Sequence, residues 1–300
     1  MSQLPFNLPG SFWKGNLHTH STRSDGVYEP QEVCRLYRDA GYHFIALTDH
    51  FLDVYGYPLV DTTPWRGDGF TTLLGAELHA GATEVGGIWH IVAAGLPLDF
   101  APSDGETGPE LAQRARAAGA FVAAAHPQWY SLTEQDVVSL GEIDAIEVYN
   151  ATAVDLNDRS DGWHLADVLL GKGMRYDAYA ADDFHGDAGR YEFGRGWIWV
   201  KSEALTPQAL LQALKSGHFY SSTGPQIYDV EFDGRRQVRV RCSPAERVFV
   251  SGKGPVAVSV AGQGLMDVTL DLSRFAGPYA RITVRDHQGG RAWTNPVWFE

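Results

Sequence analysis

Residues 16–26 read Asn16-Leu17-His18-Thr19-His20-Ser21-Thr22-Arg23-Ser24-Asp25-Gly26. The first half has the texture of a strand and the second that of a polar loop. His18 and His20 are two apart, so an extended chain projects them from one face. Asp25 follows within reach of the same loop. Two imidazoles and a carboxylate at a strand end are the donor types of a divalent-metal site. A lone His-x-His pair also arises on ordinary wet strands, so the reading turns on whether later strands end in the same way.

From residue 14 to about residue 217, strand-like and helix-like segments alternate. Strands are expected over Asn16–His20, His43–Thr48, Thr71–Leu78, Ile88–Leu96, Phe121–Ala125, Asp144–Tyr149, Tyr176–Ala181 and Gly196–Val200. Helices are expected over Pro30–Ala40, Glu106–Gly119, Glu134–Leu140, Ser160–Gly171 and Thr206–Ser216, with Gly41 and Gly119 as stops and Thr206 as a cap. Such alternation predicts a mainly parallel sheet, and this many units favour a barrel. Between strands, residues 51–69 are rich in Tyr, Gly, Pro and Asp, without a period; they read as a loop that covers a site or packs on a barrel rim. Beyond Tyr220-Ser221-Ser222-Thr223-Gly224-Pro225 helical periodicity stops. Short alternating strands separated by Gly-containing turns predict a small all-β sandwich of roughly 75 residues, large enough for its own core. The expected division is residues 1–224 and 225–300.

The chain has 11 histidines, and those at 18, 20, 50, 79, 90, 126 and 185 fall at expected strand ends, or at a strand entry for His90. Asp25, Asp49, Glu77 and Asp183 share those places. In a parallel barrel the C-terminal strand ends form one face, so these groups would converge. Imidazole and carboxylate together suit zinc, manganese or iron, and so many candidates exceed the needs of one ion; two or three are expected. His43, His164, His218 and His287 read as ordinary packed or solvated residues. His79 shares a strand face with Glu77 and reads either as a group behind the ligands or as a catalytic one.

Five short motifs come in a family's order: His18-Thr19-His20 with Asp25-Gly26, Thr48-Asp49-His50, Gly75-Ala76-Glu77, His126-Pro127 and Asp183-Phe184-His185. They resemble those of the polymerase and histidinol phosphatase (PHP) family. The opening Trp13-Lys14-Gly15-Asn16-Leu17-His18, Tyr220–Pro225 and Ala292-Trp293-Thr294-Asn295-Pro296 resemble the branch named for a bacterial carbaryl hydrolase, which often carries a C-terminal β-domain. The resemblance implies a distorted (β/α)7 barrel. It implies one metal on His18, His20, Glu77 and Asp183, a second on bridging Glu77 with His126 and His90, and a third on Asp25, His50 and His185. Many trinuclear members have a histidine where this chain has Asp25.

The reaction expected is hydrolysis of a small-molecule phosphoester by a metal-bridging hydroxide, without a protein nucleophile. Arg23, Arg66, Arg190 and Arg195 are candidates to grip a phosphate; Arg23, Arg195 and His79 are the candidate catalytic residues. The alternatives are hydrolysis of a carboxyl ester, carbamate or amide at the same site, and an inactive metal-holding barrel that acts as a binding module. No Gly-x-Ser-x-Gly elbow or phosphate loop supports a serine hydrolase or a P-loop enzyme. With 37 acidic against 24 basic residues and a net charge of −13, a nucleic-acid surface or an anionic membrane partner is not expected. No run approaches the roughly 20 apolar residues that span a bilayer, and Met1 to Gly10 lack the pattern of a signal peptide. Cys34 and Cys242 fit reduced thiols and a cytoplasmic setting.

Overall fold

The order of strands is what brings the histidines together. A computed structural model describes residues 4–299, so Met1 to Gln3 of the N-terminal stretch lie outside the described residues. The strands of the first part are β1 (Ser11–Asn16), β2 (Phe44–Leu47), β3 (His50–Phe51), β4 (Thr71–Leu78), β5 (Ile91–Ala94), β6 (Phe121–Ala124), β7 (Ala145–Asn150), β8 (Asp177–Ala181) and β9 (Trp197–Ser202). Its helices are α1 (Pro30–Asp39), α2 (Gly108–Ala117), α3 (Pro127–Tyr130), α4 (Glu134–Ser139), α5 (Ala151–Asn157), α6 (Trp163–Gly171) and α7 (Pro207–Lys215). In the sheet the order runs β9-β1-β2-β4-β5-β6-β7-β8.

The architecture is mixed α/β, with two departures from an all-parallel barrel. β5 is antiparallel to both β4 and β6, and β9 is antiparallel to β1. Residues 79–90, which join β4 to β5, contain no helix, and β5 turns back beside β4 in the opposite sense. β9 follows β8 in sequence but pairs with β1 and β10. The β5 reversal puts its entry, with His90, next to the exit of β4, with Glu77 and His79. The expected first strand is also displaced. The ladder occupies Ser11–Asn16, and His18 to His20 continue past it with one isolated bridge, Thr19 to Phe184.

The strand ladder does not close into a barrel. The free edge of β8 is satisfied by side chains instead. Ala178 N donates to Asn295 Oδ1 at 2.9 Å, and Ala178 O accepts from Ser221 Oγ at 3.0 Å. Above it, Asp182 accepts from the backbone N–H of Gly194, Arg195 and Gly196, each at 2.8 Å. Buried backbone groups must find partners, and here they find polar side chains in place of a ninth-strand ladder. Core packing still fills the interior: Leu17, Phe44, Leu73, Phe121, Tyr179 and Phe219 are buried together.

The remaining strands are β10 (Phe219–Ser222), β11 (Ile227–Asp233), β12 (Gln237–Ser251), β13 (Ala257–Asp271), β14 (Tyr279–Arg285), β15 (Arg291–Thr294) and β16 (Val297–Trp298). They form a separate core containing Ile227, Val240, Val248, Leu270, Ile282 and Val284. β12 shifts register near Ala245; its first half pairs with β11 and its second with β14. β10 pairs with β9 on one side and β15 on the other, so the sheet runs without interruption from one part to the other. Trp293 belongs to the core of the first part, with its ring 6.4 Å from those of Tyr149 and Trp163. It docks the C-terminal strands onto β7 and α6. Cys34 and Cys242 are buried and free. Among the described residues no helix is long and apolar enough to cross a membrane.

Candidate metal centre

Glu77 sits at the middle of the site. It is the penultimate residue of β4, is fully buried, and is ringed by imidazoles. His50 Nδ1 lies 2.6 Å from its carboxylate, His90 Nδ1 2.7 Å, His126 Nε2 3.1 Å, His18 Nε2 3.5 Å, His79 Nε2 3.6 Å and His20 Nε2 3.7 Å. The second buried carboxylate, Asp183, lies 2.9 Å from His20 Nε2 and 3.2 Å from His18 Nε2. On the outer side Asp25 faces His50 Nε2 at 3.2 Å and His185 Nε2 at 3.4 Å.

The local chain explains how these groups are aimed. The first loop folds onto Asp49, whose carboxylate accepts from Ser21 N at 2.7 Å and from the hydroxyls of Ser21 and Ser24 at 2.8 Å each. Asp49 is thereby a scaffold for the loop that carries Asp25. A Cβ on Gly26 would lie 2.7 Å from the His20 backbone carbon, so glycine is what lets the loop close against the histidine. His126 and Asp183 adopt positive φ, +24° and +54°. Such backbone costs on the order of 1–3 kcal/mol for a non-glycine residue and is retained where surrounding contacts over-determine it. His185 Nδ1 donates to the Asp183 carbonyl at 2.8 Å. His79 Nδ1 lies 2.9 Å from the Trp89 carbonyl, which fixes the proton on Nδ1 and leaves the Nε2 lone pair facing the cluster.

Four groups of donor atoms lie close enough to share an ion: His20, Asp25, His50 and His185; His50, Glu77, His79 and His90; His18, His126 and Glu147; and His18, His20 and Asp183. The donors fit divalent ions on their own chemistry. His50 Nδ1 and His79 Nε2 are 2.8 Å apart, and the His20 ring stacks 4.2 Å from that of His185. Only a proton on His50 Nδ1 joins it to His79 Nε2, and crowded imidazoles cannot all be protonated. His18 Nε2 and Glu77 Oε2, both on the inner side of the cluster, are buried without a hydrogen-bond partner among the described residues. A divalent cation there would satisfy both.

The electrostatics point the same way. Burial, with His185 and His50 nearby, pushes His20 down to about 3, so it is a neutral donor at ordinary pH. Burial lowers His79 and His90 as well, against the pull of Glu77. Burial alone would raise Glu77 and Asp183, but their histidine neighbours hold both well below the usual carboxylate range. Against burial, the same carboxylates pull His18, His50 and His185 upward, His50 to about 10, so these three imidazoles carry protons that a bound ion would displace.

Every residue expected as a ligand lies in these groups, but the grouping differs from the one expected. His20 faces Asp25 as well as Asp183, and His79 joins His50, Glu77 and His90. The arginines do not converge on the cluster. Arg23 is exposed and lies 3.4 Å from Glu29, and Arg195 donates Nε to the Tyr191 carbonyl at 3.0 Å. Arg66 is held by Thr72, and Arg190 by Asp187. Each guanidinium contacts an oxygen outside the cluster. Aromatic rings line the rim instead: Tyr130 lies 4.0 Å from His90 by ring centroid, and Tyr55 stacks 6.3 Å from His50.

One residue of the centre is absent from the motif reading. Glu147 in β7 is fully buried; its Oε1 lies 3.1 Å from His18 Nδ1, and its Oε2 accepts from His126 N at 2.7 Å and Asn150 Nδ2 at 3.0 Å. The only signal in the sequence is a single acidic residue inside an apolar strand, Ala145-Ile146-Glu147-Val148-Tyr149. Asn150 completes the link: its Nδ2 also donates to Asp183 Oδ2 at 3.1 Å, and its Oδ1 caps α5.

No protein-family model matches the chain, and a search of curated proteins found no match. Among solved structures, a two-domain protein from Bacteroides vulgatus, predicted to contain a PHP-like metal-dependent phosphoesterase, aligns over 97% of this chain and 98% of its own, with a TM-score of 0.54 and 16% identity. At that identity the likeness is one of fold: this chain has the two-part fold of a PHP-like protein. A protein from Bifidobacterium adolescentis described as a metal-dependent phosphoesterase aligns over 57% of this chain and 87% of its own (TM-score 0.42, 16% identity). An amidohydrolase from Chromobacterium violaceum, with bound sulfate and no metal, aligns over 59% and 89% (TM-score 0.44, 16% identity).

Proposed function

We propose that this chain is a PHP-type hydrolase that uses two or three divalent ions to cleave a phosphoester. The observation that carries the reading is the ring of six imidazoles around the buried Glu77 carboxylate, with Asp183 and Asp25 on either side. The motif order and the fold shared with a PHP-like protein support it. His18, His20, Glu77 and Asp183 would hold one ion, Glu77, His90 and His126 a second, and Asp25, His50 and His185 a third. Zinc, manganese and iron all suit these donors. Such ions supply charge neutralisation at an anionic ester and an acidified water at neutral pH.

The chain's own residues do the rest. Glu147 holds the Nδ1 proton of His18, so that His18 Nε2 presents its lone pair to the centre. Trp89 does the same for His79 through its carbonyl, which places His79 Nε2 at the cluster edge as a further donor. Tyr130 and Tyr55 flank His90 and His50 and keep water from that side of the bound ester. Among the described residues no arginine reaches the cluster, so the proposal assigns phosphate recognition to the ions. The C-terminal strands, residues 225–300, act as a supporting domain; their separate core and the docking of Trp293 support that division.

The test is a screen of phosphomonoesters, phosphodiesters, carboxyl esters and carbamates with metal-loaded protein, run beside Asp183→Ala. Metal-dependent cleavage of a phosphoester, abolished by the substitution, is the expected result. Turnover confined to carboxyl or carbamate esters would replace the phosphoester reading with ester hydrolysis at the same centre.

A further inference from the structure

A cleft of about 470 Å³ lies where the start of α6 meets β12, β14 and β15. It shares no lining residue with the histidine cluster. Trp163 forms one wall, and Arg281, Thr283, Arg285, Arg291 and Trp293 line the other. The volume falls in the range of small-molecule sites, roughly 300–1,000 Å³. In a chain of net charge −13, three arginines converge on this one concavity.

Their existing partners use only part of their donors. Arg281 is committed to structure. Its Nε and Nη2 hold Asp167 at 3.0 and 2.6 Å, its Nη1 donates to Thr283 Oγ1 at 3.1 Å, and its guanidinium covers the Trp163 ring at 4.0 Å. That contact pins β14 to α6. Arg285 gives Nε to Glu246 at 2.7 Å, which leaves its two terminal nitrogens without a carboxylate. Arg291 has no carboxylate partner among the described residues and touches only the Gly289 carbonyl, at 3.3 Å. The indole N–H of Trp163 is buried with no acceptor among the described residues. Asp167 and Glu246 neutralise Arg281 and Arg285, and the lining's own carboxylate, Asp161, is exposed, so the cleft's free donors are Arg291, the terminal nitrogens of Arg285 and the Trp163 indole. Surplus donors with few acceptors match an oxyanion, because planar guanidinium groups bind carboxylate and phosphate oxygens in pairs.

We propose that this cleft is a second ligand site, separate from the histidine cluster, that binds the oxyanion group of a small molecule through Arg285 and Arg291. The group is a phosphate or carboxylate, either as a free ion or carried on an organic molecule.

The test reads the indole N–H resonance of Trp163 by NMR in the metal-loaded protein, assigned by its loss in Trp163→Phe. Inorganic phosphate and glucose 6-phosphate are titrated separately. A saturable shift of this resonance is expected, weakened at least about tenfold in the Arg285→Ala/Arg291→Ala double variant. Thermal melting of that variant, altered only at solvent-accessible side chains, checks its fold. Tighter binding of the sugar phosphate identifies an organic ligand, and equal binding identifies the free ion; both support the site. Phosphate held at the metal centre leaves the double variant's response unchanged. An unshifted Trp163 resonance with both probes, or the same shift in wild type and double variant, overturns the proposal.

Discussion

Replacing Glu147 with glutamine changes one oxygen to an NH2 group and keeps the shape. In the native protein both carboxylate oxygens accept: Oε1 from His18 Nδ1, and Oε2 from His126 N and Asn150 Nδ2. A glutamine has one accepting atom. Turned toward the two donors of His126 and Asn150, it points its NH2 at His18 Nδ1. His18 must then accept at Nδ1 and carry its proton on Nε2. That nitrogen lies 3.2 Å from Asp183 and 3.5 Å from Glu77, where an ion would need its lone pair. The opposite rotamer sets an NH2 against two N–H donors inside a fully buried site, which costs about 1–3 kcal/mol per unsatisfied group. Either outcome weakens the ion held by His18. Removing a partner that orients a metal-ligating histidine typically costs 10–100-fold in metal affinity, or about 1.4–2.7 kcal/mol. Competition with a chromophoric chelator measures the affinity, and melting of the ion-free proteins separates it from folding. Unchanged metal affinity in a folded Glu147→Gln protein would refute the tautomer argument.

Three further outcomes follow from other parts of the chain. Asp25→Ala should lower the bound metal by one ion per chain, measured by elemental analysis, while the ions near Glu77 stay; equal stoichiometry would place Asp25 outside the ligand set. Burial, with Asp144 nearby, pushes Asp177 up from 3.8 to about 7, so the folded state holds its proton more tightly than the unfolded one. Its contribution is full below 3.8 and is lost as pH rises through about 7; Asp177→Asn should remove that fall, stabilising the protein by on the order of 4 kcal/mol above the window in denaturant titrations at two pH values. Ile282→Ala empties part of the second core and should cost about 2–5 kcal/mol in stability, with metal content retained in the folded fraction.

The sequence exposes those parts of the centre that lie at strand ends. His18, His20, His126, Asp183 and His185 are legible there because strand ends that share a face bring distant residues together. His90 looked misplaced at a strand entry, and the antiparallel course of β5 resolves it: a connection without a helix returns the strand so that its entry meets the exit of β4. Glu147 is not legible, because its role comes from contacts with His18 and His126, which are 129 and 21 residues away, and no local pattern marks it. For the arginines the neighbours are local: Arg66 and Arg190 lie in suggestive loops, and oxygens of Thr72 and Asp187, six and three residues away, hold their guanidinium groups. The unclosed sheet was equally hidden, since it depends on Asn295 and Ser221 reaching β8 across 117 and 43 residues. Helix α5 escaped as well; Ala151–Asn157 has no apolar period and is started by the Asn150 cap.

The most direct test of the central claim is phosphoester hydrolysis by one preparation, assayed with its metal content before chelation, after chelation, and after return of zinc, manganese or iron. The account predicts that bound metal and phosphate release disappear together and are restored together. Phosphoester cleavage that persists after all metal is removed, or a folded protein that takes up no divalent ion, would contradict it.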